Sequence, residues 1–264
     1  MPKGVQLFFC NCGDSKRHDE FNSWYSHTHL PDLKSALGLV RVRRFANGQP
    51  KSGFFEYLAA YEFESDDLGA SVDDLIRLAH ATVTQGRHVD CLEAGTMGLY
   101  REIDPDTLKP LPRFSYPKQA PVPPSPLPTP GVRPVAATLP RALYIVLANC
   151  TDPAREEEFN RWYSHTHLPD LRPAKGLVRA TRYRREHPDR APTEYLAIYE
   201  FESGDLTASM ADFFRLVNLE REQGRRIDCS QVVATHFFLK IDDAAYPPLK
   251  KLDYPRDIFR GRVT

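Results

Sequence analysis

Two histidines, His27 and His29, follow the aromatic pair Trp24 and Tyr25 and stand just ahead of Pro31 and Asp32. The same run returns as Trp162, Tyr163, His165, His167, Pro169 and Asp170. Imidazole titrates close to neutral pH, so His29 and His167 are the candidate general acid/bases. Asp32 and Asp170 can fold back on those rings and hold one tautomer. Trp24, Tyr25, Trp162 and Tyr163 offer walls to a flat apolar ligand. Arg41 and Arg179 are candidates to bind a carboxylate or an enolate oxygen. Tyr57, Tyr61, Tyr195 and Tyr199 are candidates to line the same space, with His27 and His165 in contact with substrate.

Each residue also has a structural reading. His29 suits the end of a helix, where the macrodipole favours a cation. Trp24 and Phe21 suit a plain core, and Asp32 can accept from turn amides. Arg41 and Arg179 can pair with Glu56 and Glu194 on a neighbouring strand. Histidines at i and i+2 do not point one way on a helix, so a shared metal is not expected. No metal-binding spacing is present elsewhere. The five cysteines, Cys10, Cys12, Cys91, Cys150 and Cys229, are odd in number and lack a CxxC spacing. They read as buried, reduced thiols.

The elements that position these residues come in two copies. The stretch Phe21–Leu33 recurs as Phe159–Leu171 with one difference, and the offset of 138 residues then holds without a gap. A repeat is the first thing to settle about such a chain. In each copy an apolar first strand (Gln6–Asn11, Leu143–Asn149) leads into a helix that Asp14 or Asp152 can cap. That helix is expected from about Lys16 (Ala154) to His29 (His167), ended or kinked by Pro31 or Pro169. A helical wheel puts Phe21, Trp24, Tyr25 and Thr28 on one face, with His29 at its edge beside Asn22. Gly38 and Gly176 open a second strand, and Phe55–Glu64 is the third. A second helix (Ser71–Thr84, Ser209–Glu222) carries Leu75, Leu78 and Ala79 inward and ends at Gly86 or Gly224. Asp90–Arg101 is the fourth strand. The order βαββαβ is the ferredoxin-like motif, an α+β class.

The domain reading is residues 1–103 for copy one, a Pro-rich linker 104–140, residues 141–241 for copy two, and a C-terminal extension 242–264. Prolines such as Pro121, Pro123, Pro124 and Pro126 favour an extended, polyproline-type linker. The 264 residues hold 35 basic and 35 acidic side chains. That balance offers no electrostatic reason for a nucleic-acid or anionic-membrane partner. No apolar run approaches the ~20 residues that span a bilayer. The first residues show no signal-peptide pattern, so the location is read as cytoplasmic.

A ferredoxin-like unit covers one sheet face with helices and must bury the other elsewhere. In this the chain resembles the dimeric α/β-barrel superfamily, most closely its EthD-like branch. The resemblance is carried by Trp24, Tyr25, His29 and Pro31, and by Trp162, Tyr163, His167 and Pro169. It implies two ferredoxin-like domains packed sheet to sheet as a pseudo-dimeric α/β barrel within one chain, with room for a further homodimer. Relatives of that kind include polyketide cyclases, metal- and flavin-free oxygenases, decarboxylases and dehydratases, haem-degrading proteins and stress-response proteins. The expectation is a cofactor-independent enzyme of lyase or cyclase type, acting on a small hydrophobic, aromatic or polyketide-like carbonyl compound. No metal is expected, and haem is not, because Asn22, Trp24 and His29 all cluster on one helix. A non-catalytic small-molecule-binding or stress-response protein and a metal-free oxygenase are the alternatives.

Overall fold

The computed structural model describes residues 1–112, 114–124, 141–187, 192–250, 252 and 254. Copy one runs through β1 (Lys3–Cys12), a long first helix α1, β2 (Leu39–Asn47), β3 (Tyr57–Glu64), α2 (Leu68–Thr84) and β4 (Leu92–Glu102). Helix α1 is continuous in three pieces: His18–Trp24, a π turn Tyr25–His29, and Leu30–Leu33. Copy two repeats the order: β5 (Arg141–Cys150), α3 (Glu156–Trp162, π turn Tyr163–His167, Leu168–Leu171), β6 (Leu177–Arg185), β7 (Tyr195–Glu202), α4 (Leu206–Glu222) and β8 (Ser230–Lys240). The strands lie in the ferredoxin-like orders β4-β1-β3-β2 and β8-β5-β7-β6. β3 is antiparallel to β1 and β2, and β7 to β5 and β6. The fold is α+β, two ferredoxin-like copies, as the repeat implies.

Alternation along the strands sorts the side chains. In copy two, Tyr144, Val146, Tyr195, Ala197 and Tyr199 face helices α3 and α4 and pack on Phe159, Trp162, Phe213 and Phe214. The intervening Leu143, Ile145, Leu196 and Ile198 are buried as well. Gly38 and Gly176 take positive φ values of 67° and 73° at the mouths of β2 and β6. A Cβ there would meet Glu64 O at 2.8 Å or Ser203 Cβ at 2.9 Å, so only glycine fits without strain.

Two local expectations change. Helices α2 and α4 begin three residues earlier than the apolar stripe suggests. Asp67 and Asp205 cap them, each accepting from a backbone N–H at 2.9 Å (Ala70, Ala208). Pro31 and Pro169 do not end the first helices. In the π turn the Leu30 N–H bonds back to Tyr25 O, and proline enters in the first turn of the next segment, where its missing N–H is tolerated.

The chain divides into two compact units. One holds Met1–Ala46, Phe54–Leu99 and the described residues from Ile241 onward; the other holds Asn47–Gly53 and the described residues of Tyr100–Lys240. Each unit thus includes the segment that follows the other copy's last strand. In the second unit, Tyr116 N bonds to Gly224 O and Tyr116 OH to Glu158 Oε1 at 2.7 Å. In the first, Tyr254 N bonds to Gly86 O and Tyr254 OH to Glu20 Oε1 at 2.6 Å. These tyrosines are repeat partners, so the repeat continues into the segments that the sequence reading set aside as linker and extension.

Candidate active site

The π turn decides where the key imidazoles go. On a regular α-helix, residues i and i+5 lie about 140° apart. The wider π turn brings His29 over Trp24, ring centroids 4.8 Å apart at 29°, and edge-on to Tyr25 at 4.8 Å. His167 repeats this against Trp162 (4.9 Å) and Tyr163 (4.7 Å). Both rings are therefore buried, at 7% and 5% exposure, and not at the helix edge where a regular wheel places them.

Here the copies part. In copy two, His167 Nδ1 lies 2.8 Å from Glu220 Oε2, a carboxylate on α4 that is itself 2% exposed. His167 Nε2 lies 3.1 Å from Tyr199 OH, which lies 3.1 Å from Tyr163 OH. The result is a buried chain: carboxylate, imidazole, phenol, phenol. Burial raises the Tyr199 pKa well above that of a free phenol and raises that of Tyr163 too, so both stay neutral donors. In copy one, Thr82 stands where Glu220 does, with its hydroxyl on Ala79 O. His29 Nδ1 has no hydrogen-bond partner there, and Nε2 sits a long 3.5 Å from Tyr61 OH. Burial, helped by His88 and Arg44, pushes His29 down to about 3, so it is neutral at ordinary pH. Tyr25 and Tyr61 keep their own bond at 2.8 Å.

A cavity of about 190 Å³ opens beside the copy-two chain. Tyr163, His167 and Tyr199 line it together with Tyr144, Phe213 and Phe214. Arg221, Arg226, Val122 and Pro123 also line it.

The other sequence candidates land elsewhere. Asp32 and Asp170 do not orient the imidazoles. Their carboxylates form two-pronged pairs with Arg87 (2.9 and 2.8 Å) and Arg225 (2.8 and 2.8 Å), because the helix carries them outward past the ring. Glu220, 53 positions from His167 in the chain, holds the place proposed for Asp170. Arg41 and Arg179 are exposed on β2 and β6 and stand by Glu62 (2.6 Å) and Glu200 (3.9 Å) across the sheet, not in a cavity. Their strand partners are these glutamates and not Glu56 and Glu194. His27 and His165 point away from the core and bond through Nε2 to Tyr246 O and Leu108 O, so they anchor the swapped segments. Tyr57 and Tyr195 sit under the first turns of α1 and α3 against Asn22 and Asn160, away from the cavity lining. Trp24 and Trp162 are fully buried and donate through Nε1 to Arg87 O and Arg225 O.

Sequence reasoning missed Glu220, Arg221 and Arg226, which have no like residue in copy one and so left no repeat signal. It also missed Arg44 and Arg182, which the repeat does retain. Each guanidinium lies 4.2 Å from the ring centre of Tyr25 or Tyr163 and bonds to Asn22 or Asn160. Burial lowers Arg182 to about 10. As the side chains stand, neither nitrogen of His167 is open to a metal, since Glu220 and Tyr199 take both. No group of three or more metal-binding side chains occurs among the described residues. No helix among them is long and apolar enough to cross a membrane.

No family model matches the sequence, and no curated protein matches it. Among solved structures, a chlorite dismutase variant from Candidatus Nitrospira defluvii superposes with TM-score 0.56 at 11% identity, covering 92% of this chain and 93% of that one. The same enzyme in complex with imidazole gives 0.53 at 10% identity, over 92% and 93%. TA0507, a protein assigned as a chlorite dismutase, gives 0.55 at 11% identity, over 93% and 97%. These neighbours belong to the dimeric α/β-barrel superfamily, and at such identities the likeness shows the fold alone.

Proposed function

We propose that this chain, with the fold of the dimeric α/β-barrel proteins, is an enzyme that moves protons on a small aromatic or apolar carbonyl compound, and that it does so in copy two. The EthD-like signature around His167 fits that reading. The observation that carries it is the buried chain Glu220–His167–Tyr199–Tyr163 along the wall of an apolar cavity.

The roles follow from the donors and acceptors. His167 Nδ1–H donates to Glu220, which leaves Nε2 as the basic position. At rest Tyr199 O–H donates to Nε2. A carbonyl oxygen seated beside Tyr199 takes over that hydrogen bond and frees Nε2 to remove a proton from the adjacent carbon. Glu220 stabilises the imidazolium that forms, and the phenols stabilise the enolate oxygen. Returning the proton to another atom gives a tautomerisation, dehydration or cyclisation.

The test needs no named substrate. Exchange of carbon-bound protons with D₂O, followed by NMR on one-ring ketones and keto acids, should run well above the buffer rate. Substituting His167→Ala should return it to that rate, a loss on the order of 10²–10⁴-fold. Exchange that survives His167→Ala would end this reading. A second reading is ligand binding without catalysis, favoured by one observation: both nitrogens of His167 already have partners inside the protein. It expects a bound ligand with no exchange.

A further inference from the structure

We infer that the ligand of the copy-two cavity is a one-ring carboxylic acid, its carboxylate held by Arg226 and Arg221. The inference rests on the cavity being the ligand site, and it names the substrate class of the proposed enzyme.

Arg226 is 6% exposed, yet no carboxylate lies within salt-bridge distance of it among the described residues. Its guanidinium makes a long hydrogen bond to Ser230 Oγ (3.4 Å) and lies over the face of Trp162 at 5.5 Å. Buried charges are ordinarily paired. Arg221 lines the same cavity, and its Nε donates to a carbonyl, Ala120 O, at 2.7 Å. Burial lowers the pKa of Arg221, and the charge of Arg226 lowers it further, so the two guanidiniums repel. Glu220 offsets one of these charges, but its hydrogen bond goes to His167. One positive charge on this wall remains without an opposite. Copy one has Val83 and His88 at the matching positions, so the two arginines, like the acid of the dyad, belong to copy two alone.

Size and lining supply the rest. A cavity of about 150 Å³ holds a benzene ring. At about 190 Å³ this one takes a single ring with a small polar substituent, and not the fused rings of a polyketide. Tyr144, Phe213 and Phe214 give the ring an aromatic wall, while guanidinium pairs with carboxylate in matched geometry. The arginines that sequence analysis assigned to this task, Arg41 and Arg179, are on the surface; Arg221 and Arg226 take it instead.

The experiment compares benzoate, benzamide and phenylphosphonate by calorimetry on the full chain. Benzoate should bind at least tenfold tighter than benzamide, and Arg226→Met should abolish that preference while benzamide binding stays. Should Arg226→Met fail to fold, Arg221→Gln, at a more exposed position, should cut the preference at least severalfold. Equal binding of benzoate and benzamide, or an undiminished preference in the folded variants, overturns the inference. Tighter binding of phenylphosphonate than of benzoate also overturns it, in favour of a phosphoryl ligand. His167→Ala separates the two ideas: lost exchange with retained benzoate binding supports both. Benzoate selectivity without exchange in the unaltered protein leaves the carboxylate site and removes the enzyme.

Discussion

Glu220 Oε2 sits 2.8 Å from His167 Nδ1, with both side chains sealed from solvent. At the equivalent place in copy one, Thr82 turns its hydroxyl to its own helix, and His29 Nδ1 has no hydrogen-bond partner. Two copies of nearly the same helix therefore carry imidazoles in different hydrogen-bond settings, and position 82 or 220 on the second helix holds a residue that differs between them.

Thr82→Glu should rebuild the dyad in copy one. A carboxylate at that point favours the charged ring, so the His29 pKa should rise by more than one unit from about 3. An NMR pH titration of the ring protons reads this directly. An unmoved titration would mean that position 82 does not face the ring.

Loss of the dyad should weaken the fold. Removing the carboxylate leaves the buried Nδ1–H of His167 without its acceptor, which costs about 1–3 kcal/mol, and Glu220→Ala is expected in that range. Glu220→Gln should cost less, because its amide oxygen still accepts from Nδ1–H. Urea unfolding of the two variants against the parent chain checks the order.

Acid should destabilise the protein before its carboxylates titrate. His29 is held at about 3 and His88 at about 4, each mainly by burial, against 6.5 for a free imidazole. The unfolded chain then binds more protons than the folded one once pH falls below 6.5. Stability is full above that value and is lost as pH drops toward 4, by about 1.4 kcal/mol per pH unit for each such group. His29→Phe should flatten the slope between pH 6 and 4. An equal slope in that variant would show that His29 titrates normally.

Asn218 clamps the segment that covers the cavity. Its side chain accepts from Val122 N at 2.9 Å and donates to Val122 O at 3.1 Å, and Val122 and Pro123 line the cavity. Asn218→Ala removes two hydrogen bonds worth about 1 kcal/mol each. Benzoate should dissociate roughly tenfold faster or more, as read by stopped-flow displacement.

The repeat, the βαββαβ order and the capping-type glycines were all legible in the chain, because they rest on local spacing. The segment before each second helix was misread for a local reason too, since a search for apolar periodicity passes over the capping Asp67 and Asp205. The fates of Asp32 and Asp170 were not legible. A short stretch can show that a carboxylate is near a ring in sequence, but not that Arg87 or Arg225 reaches it from 55 residues away.

By itself the sequence determined a duplicated ferredoxin-like fold with an aromatic, histidine-bearing helix in each half. Tertiary structure alone decided which half pairs its imidazole with a carboxylate. A π turn rotated both imidazoles inward, where burial strips them of water and makes their partners decisive. One then met a carboxylate from the last turn of α4, and the other was left with no hydrogen-bond partner at Nδ1. Contacts made across such separations depend on packing, which no local pattern of residues encodes.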